Sequence, residues 1–276
     1  MADNGGYQAE LLLASAVARE AGALLRALHG RVRDVRHKGA VDLVTEADRA
    51  SEKLMAARLL DAWPDDELLA EEGTDAGRNT GARRRWIVDP LDGTTNFAHG
   101  HPVFAVSIAL EVERQVVVGV VFDPLRDELF AALAGGGATL NGAPIACSSV
   151  ASLIEAMLAT GFAYDLTRRL EHLPSFGRFV AATQALRREG AAALDVCYVA
   201  CGRYDGYWER GINVWDIAAA SLILSEAGGA LGGYQRRPFD IFAREIVASN
   251  ALLQPQMQDI IADVIAEYGL GADILS

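Results

Sequence analysis

The sequence predicts an α+β protein built from packed layers of helix and sheet. Two amphipathic helical segments come first, a block of β-rich runs follows, and the remainder alternates strands with helices. With 276 residues, of which 51% are hydrophobic and 22% charged, the chain can bury a large core and is too apolar for disorder. We expect one domain over 1–276, with tightly packed subdomains at 1–146 and 147–276.

The first half begins with helices and continues as an antiparallel sheet. Apolar residues at helical spacing predict a helix over 7–28, stopped by Gly30, and a second over 46–63, ended by Pro64. The β-rich runs that follow are separated by a polar link and a triple-glycine turn, which is typical of hairpins. The predicted strands cover 86–88, 103–113, 116–122, 127–132 and 138–140.

The second half alternates the two element types. We expect Pro174 to break its first helix and Gly228 with Gly229 to close its third. The predicted strands cover 156–160, 204–209 and 246–249, and the predicted helices cover 166–186, 191–200, 215–227 and 252–268.

Composition excludes several classes of function. The net charge is −12, so the surface repels phosphate backbones and binding to nucleic acid is disfavoured. No apolar run reaches the roughly 18 residues that a membrane-spanning helix needs. The three cysteines form no disulfide framework, which favours a reducing, cytoplasmic setting. His29, His37 and His172 are expected at the surface, and the arginines at 83–85 in a solvated loop.

The segment WIVDPLDGTTNF carries two acids where a buried strand is expected to end. Pro90 lacks an amide hydrogen, so we expect the strand to stop there, with Asp89 and Asp92 leaving from its end. Two carboxylates this close raise each other's pKa unless a cation neutralises them. Mg²⁺ or Mn²⁺ would suit such oxygen ligands, and a solvated surface turn is the alternative interpretation.

The residues after these acids are small and polar. Gly93 and Thr94 can open a short helix whose amide hydrogens favour an anion, especially phosphate. Amides beside a metal ion would suit a phosphate monoester. A simple helix cap at Thr94 or Thr95 is the alternative.

Other acids lie in comparable places along the chain. Glu71 and Glu72 follow a short apolar segment, and one of them pointing inward would be a ligand. Asp48 lies in a first helical turn, where an acid also favours the helix dipole. Asp216 begins a helix in apolar surroundings, where a carboxylate needs a partner; a capping role remains the alternative.

Together these segments resemble the inositol monophosphatase family. The resemblance is carried by three segments: WIVDPLDGTTNF, AEEG upstream of it and WDIAAASLILSEAGG downstream of it. Three further segments support it: DLVTEAD, ATGFAYD and LRREGAAALDVCYVACGRYDGYWERG. The family comprises Mg²⁺-dependent, Li⁺-sensitive phosphomonoesterases with the fructose-1,6-bisphosphatase-like fold. The resemblance therefore implies a layered α/β/α/β/α sandwich and a phosphoric monoester hydrolase.

The resemblance implies a metal centre at the matching positions. Glu71, Asp89 and the backbone carbonyl of Leu91 would hold a first Mg²⁺ ion. Asp89, Asp92 and Asp216 would hold a second, and a third, weaker ion would share Glu71. Mn²⁺ is a possible substitute.

It also implies the remaining site residues. The amides of Gly93 and Thr94 would bind phosphate, and Asp48 with the Thr94 hydroxyl would orient the attacking water, with Glu71 completing the catalytic set. The implied substrate contacts are Asp92, Ala192 and Glu209.

The implied substrate is myo-inositol 1-phosphate. The Glu209 carboxylate would accept hydrogen bonds from a polyol and repel a second phosphate. Histidinol phosphate, which is cationic, is the nearest alternative, and other sugar or nucleotide phosphates of the same fold remain open. A regulatory role in binding other proteins is the alternative of another class. The resemblance also implies a homodimer.

Overall fold

The structure is a computed structural model that describes residues 6–31, 35–37, 43–73 and 83–269. The helices are α1 Gln8–Leu28, α2 Glu46–Ala62, α3 Thr94–Ala98, α4 Leu166–Ala182, α5 Ala192–Ala200, α6 Val214–Glu226 and α7 Gln254–Tyr268. The strands are β1 Val35–His37, β2 Leu43–Thr45, β3 Glu67–Ala70, β4 Arg84–Asp92, β5 Ala105–Val112, β6 Gln115–Asp123, β7 Glu128–Leu133, β8 Gly137–Leu140, β9 Ala143–Pro144, β10 Met157–Thr160, β11 Ala185–Arg187, β12 Gly206–Arg210, β13 Ala230–Gly232 and β14 Glu245–Ser249.

Two large sheets organise these elements. The seven-stranded sheet runs in the order β3-β4-β5-β6-β7-β8-β9, parallel between β3 and β4 and antiparallel elsewhere. The five-stranded sheet has the order β11-β10-β12-β14-β13, and β1 pairs with β2 separately. The strands of the larger sheet lie between Glu67 and Pro144, and those of the smaller sheet lie between Met157 and Ser249. The division into subdomains at 146 and 147 stays a prediction.

Helices cover both sheets and separate them. Along β4, Trp86 and Val88 pack in one core with α1 and α2, whereas Ile87 packs in another with α5 and α6. Helix α5 also contacts β10, β12 and β14 of the smaller sheet, so α5 and α6 lie between the sheets. Helices α4 and α7 cover the outer side of the smaller sheet. These five layers confirm the predicted α+β sandwich.

Two prolines do not end their elements as the sequence predicts. Strand β4 continues through Pro90 to Asp92, because a bulge between Asp89 and Asp92 interrupts its pairing with β5 where Pro90 has no amide to donate. Helix α4 likewise continues through Pro174 and ends at Ala182. The residues after it, predicted as helix, form β11 instead and pair in parallel with β10.

Two surface predictions are also wrong. His172 is only 4% exposed, because its ring packs between Phe162 and Trp208. Arg84 and Arg85 belong to β4 and form ion pairs with buried acids of neighbouring elements, so this segment is no solvated loop. His29 is half-buried, and the side chain of His37 lies outside the described residues. Within the described residues, no helix is both long and apolar enough to cross a membrane.

Candidate active site

The bulge in β4 arranges the first acids of the site. The Leu91 amide donates to Asp89 Oδ1 at 2.9 Å, and this turn bends the chain between the two aspartates. The Pro90 carbonyl is fixed by the Ser51 hydroxyl at 2.8 Å. The turn leaves both Asp89 and Asp92 buried at the end of β4, as the sequence predicts for a site.

Gly93 then turns the chain into the short helix α3. Its φ of +91° is in the left-handed region, and a Cβ atom would lie 2.9 Å from the Val103 carbonyl oxygen, so only glycine fits. Helix α3 begins with Thr94, which confirms that these small residues open a helix; Gly93 itself takes the N-cap position. The Thr94 hydroxyl lies 2.9 Å from Asp48 Oδ1 and 3.0 Å from the Leu91 carbonyl oxygen.

Asp48 connects this turn to α2. Its Oδ2 accepts the backbone amide of Thr45 at 2.8 Å and the Thr45 hydroxyl at 2.5 Å, which forms a capping box at the helix start. Burial raises the pKa of Asp48, and the hydrogen bonds from Thr45 and Thr94 oppose that rise. Asp48 is therefore both a cap and a partner of Thr94.

Four carboxylates, Glu71, Asp89, Asp92 and Asp216, form what we call the acid cluster. Burial raises the pKa of Asp89 well above its ordinary value, and the charges of the other three raise it further. Burial and Asp92 likewise raise the pKa of Asp216, which shares a hydrogen bond with Asp89. Asp216 also caps α6, since its Oδ2 accepts the Asn213 amide at 2.8 Å.

The chemistry of this donor set fits a hard divalent cation. All the donors are oxygen, and no described Lys, Arg or His forms an ion pair with Asp89, Asp92 or Asp216. Among the described residues, no three His, Cys, Asp or Glu side chains are already arranged to hold a metal ion. The cluster therefore has the ligands and the charge for a cation, and its side chains would adjust on binding.

Asp92 has a second task that the sequence did not predict. Its two carboxylate oxygens accept the amides of Ala192 at 3.1 Å and Ala193 at 2.9 Å, at the start of α5. These bonds oppose the effect of burial, which raises the pKa of Asp92 to about 7. Ala192, a predicted substrate contact, thus lies beside the acid cluster.

Glu209 forms a further wall of the site. It lines a cavity of about 50 Å³ together with Asp92, Ala192 and Asp216, and the Tyr207 hydroxyl donates to its Oε2. Burial raises the pKa of Glu209 to about 7. A Cβ atom on Gly161 would lie 2.2 Å from Glu209 Oε2, so the glycine makes room for this carboxylate.

The same cavity contains an acid that sequence reasoning missed. Asp195 lies on α5, is 1% exposed, and neither carboxylate oxygen has a hydrogen-bond partner among the described residues. Burial raises its pKa well above the ordinary value. A carboxylate in the apolar helix AALDVCYVA was the available indication, the same one that identified Asp216.

Comparison with known proteins agrees with this geometry. The family model described as "Inositol monophosphatase family" matches residues 8–269. The chain belongs to the inositol monophosphatase family. It is 45% identical to the inositol-1-monophosphatase of Synechocystis over 92% of this chain and 89% of that protein.

Two further proteins are also similar to the chain. The Nus factor SuhB of Pseudomonas aeruginosa is 43% identical over 88% of this chain and 92% of that protein. The crystal structure of the extragenic suppressor protein SuhB from Bartonella henselae matches with a TM-score of 0.86 and 38% identity, covering 92% of this chain and 98% of that one. Family and fold are thus confirmed, whereas the roles of individual site residues stay predictions.

Proposed function

We propose that the protein hydrolyses a small phosphate monoester, with myo-inositol 1-phosphate as the substrate. Family membership makes the chain a phosphoric monoester hydrolase, and the relative in Synechocystis is named inositol-1-monophosphatase. The observation that carries the proposal is the acid cluster, in which Asp89 and Asp92 are buried, beside the start of α3 and the Thr94–Asp48 pair. Carboxylates that raise each other's pKa need cations, and a phosphate ester can supply the opposing anion.

Asp48 and Thr94 would handle the proton of the attacking water. The Thr94 hydroxyl has one hydrogen, which it donates either to Asp48 Oδ1 or to the Leu91 carbonyl. Its remaining lone pairs can accept a hydrogen bond from water. Asp48 is held by the cap of α2, so it would keep Thr94 in this orientation and receive the proton through it.

Two Mg²⁺ ions would be held by Glu71, Asp89, the Leu91 carbonyl, Asp92 and Asp216. Mn²⁺ would be a possible substitute, and a third ion would share Glu71. When bound, such ions neutralise phosphate charge, lower the pKa of water and stabilise the leaving oxygen. The amides of Gly93 and Thr94 would contact the phosphate. Each of these contacts is part of the proposal.

Asp92, Ala192 and Glu209 would contact the alcohol part of the substrate. Glu209 is oriented by the Tyr207 hydroxyl and has space only because residue 161 is glycine. A carboxylate at this wall accepts hydrogen bonds from sugar hydroxyls, which favours a polyol. Histidinol phosphate remains the alternative substrate, because a cation would also suit Glu209.

The test is phosphate release with Mg²⁺ from myo-inositol 1-phosphate, histidinol phosphate and fructose 1,6-bisphosphate. We expect turnover of the inositol ester to exceed the others, and Asp89→Asn to abolish it. Equal, feeble rates on all three compounds would contradict the inositol assignment. Lithium should inhibit the active protein.

A regulatory role is the second candidate, because the Pseudomonas aeruginosa relative is named a Nus factor. Such a role would depend on a surface and not on the acid cluster. A partner captured equally by the unmodified protein and by the variant lacking both Asp89 and Asp92 carboxylates would support it. A cytoplasmic setting and a homodimer belong to the same proposal, and sedimentation would test the dimer.

A further inference from the structure

Helix α2 carries three fully buried polar residues, Asp48, Ser51 and Glu52, which we call its polar face. Their spacing of three and four residues places them on the same side of the helix. The same side continues with Met55 and Leu59, which pack in the core shared with α1 and β4. The apolar half of this side therefore anchors α2, and the polar half is held at a fixed position beside the site.

Each residue of the polar face contacts a different segment of the site. Asp48 reaches the start of α3, as described above. The Ser51 hydroxyl donates to the Pro90 carbonyl at 2.8 Å, in the bulge of β4. The Oε2 atom of Glu52 accepts the backbone amide of Glu72 at 2.8 Å, in the segment that follows β3. One helix thus contacts the three segments that carry most of the proposed metal ligands and the phosphate-binding amides.

Glu52 fixes the backbone at Glu71. The Glu72 amide and the Glu71 carbonyl belong to one planar peptide unit, so the hydrogen bond to Glu52 fixes the orientation of that unit. On the other side of Glu71, Ala70 pairs with Val88 in the ladder between β3 and β4. The backbone of this proposed metal ligand is therefore held at both of its ends.

Ser51 has the equivalent effect on the bulge. The bulge leaves Pro90 and Leu91 without partners in the register of β4 and β5. The peptide unit that joins them is held instead by two side chains. Ser51 binds its carbonyl, and its amide donates to Asp89 Oδ1 at 2.9 Å. Ser51 thereby also fixes the amide that orients the Asp89 carboxylate.

Packing alone does not require a polar residue at these two positions. An apolar side chain could fill the place of Glu52 in the core, and replacing buried polar groups by apolar ones of similar volume is often neutral or stabilising. Glu52 and Ser51 instead supply an acceptor and a donor for backbone groups beside the acid cluster. What they contribute is the orientation of those backbone groups.

We propose that Ser51 and Glu52 are positioning residues of the metal centre, which hold the Glu71 segment and the β4 bulge in place before Mg²⁺ binds. The inference rests on the proposed function and adds residues that do not touch the metal. With the backbone fixed, the carboxylates have only to rotate on binding, which lowers the cost of ordering the site. Loss of residues that orient metal ligands typically lowers metal affinity by about 10–100-fold.

The test for Glu52 measures the Kd for Mg²⁺ by titration calorimetry of the full chain with MgCl₂. Glu52→Met keeps the size of the side chain and removes the acceptor, so the Kd should rise about tenfold. Glu52→Gln keeps an acceptor for the Glu72 amide and should keep most of the affinity. Glu46→Met makes the same change at an exposed position of α2 and should leave the Kd unchanged.

Ser51 is tested in the same way. Ser51→Ala should raise the Kd for Mg²⁺ about tenfold. The matched control is Ser221→Ala, because Ser221 is a buried serine that donates within its own helix, to the Ala218 carbonyl at 2.8 Å. In Glu52→Met and Ser51→Ala, the Mg²⁺ concentration for half-maximal hydrolysis of myo-inositol 1-phosphate should rise with the Kd, and the rate at saturating Mg²⁺ should be retained. A general loss of structure would not produce this separation.

Melting in EDTA verifies that each variant folds, and Ser51→Ala decides the inference if Glu52→Met does not fold. An unchanged Kd in Glu52→Met or in Ser51→Ala would overturn the role of that residue. A Kd in Glu52→Gln as high as in Glu52→Met would overturn the role of the Glu52 hydrogen bond.

The proposed function is judged separately, on the unmodified protein. If that protein binds Mg²⁺ but hydrolyses no phosphate ester, the proposed function fails, and the comparison of Kd values still decides the positioning role. If it binds no Mg²⁺, both are overturned.

Discussion

Protonation of His172 should destabilise the protein in mild acid. Its ring is buried against Trp208, and its Nε2 lies 2.8 Å from the Thr160 hydroxyl oxygen. That hydroxyl also lies 2.6 Å from the Trp208 carbonyl, which can only accept, so Thr160 donates there and His172 Nε2 carries the hydrogen. Burial, with the charge of Arg210, lowers the pKa of His172 from 6.5 to about 4.

The direction and the size of this destabilisation follow from the lowered pKa of His172. Between pH 6.5 and about 4 the unfolded chain binds a proton that the folded protein does not, so stability is complete above this window and falls as pH falls through it. The loss is about 2 kcal/mol near pH 5 and about 3 kcal/mol near pH 4. For a chain of this length, 2 kcal/mol corresponds to a fall in melting temperature of roughly 4–8 °C.

The assay is urea denaturation of the unmodified protein and of His172→Gln, each near pH 7.5 and near pH 5. Other acids titrate in both proteins and lower their stability alike. Subtracting the loss of unfolding free energy in His172→Gln from the loss in the unmodified protein therefore isolates the contribution of His172. We expect the unmodified protein to lose about 2 kcal/mol more than the variant. An equal loss in both would refute the buried, neutral histidine.

Three further predictions concern the site. Asp216→Asn should abolish turnover and leave the melting temperature of the metal-free protein unchanged or higher. The reason is that asparagine keeps an acceptor for the Asn213 amide and removes a repelling charge. A large fall in the melting temperature measured in EDTA would make Asp216 a purely structural cap. Millimolar Mg²⁺ should raise the melting temperature of the unmodified protein, because a Mg²⁺ concentration of 100 times Kd adds about 2.7 kcal/mol to the free energy of unfolding. Asp89→Asn should reduce this rise in melting temperature. Gly161→Ala should displace Glu209 and raise KM for a polyol phosphate several-fold; an unchanged KM would remove Glu209 from the substrate wall.

The family, the layered fold and most of the acids that lie together at the site could be predicted from the sequence, whereas Asp195 was missed. Acids among apolar residues in the sequence, such as Asp89 and Asp216, can be recognised because burying a carboxylate without a partner costs free energy. The helices and the central hairpin follow from apolar periodicity, and their bounds differ from the prediction by only a few residues.

What the sequence could not provide depends on contacts between distant residues. The bonds from Asp92 to α5 span 100 residues, and no local pattern indicates them. Pro90 remains in β4 because a bulge accommodates it, which requires knowledge of the partner strand. His172 is buried against Trp208, a residue that only the fold brings to it.

The bonds from Asp92 to the first amides of α5 have a consequence for recombination between relatives. A chimera that joins the first half of one family member to the second half of another would keep both sheets. Its site would still depend on the hydrogen bonds between Asp92 in the first half and the first amides of α5 in the second half. Exchange near residue 147 should therefore succeed when the donor of the second half presents small residues where Ala192 and Ala193 lie. Bulky residues there would push the helix away from Asp92 and yield folded proteins without activity.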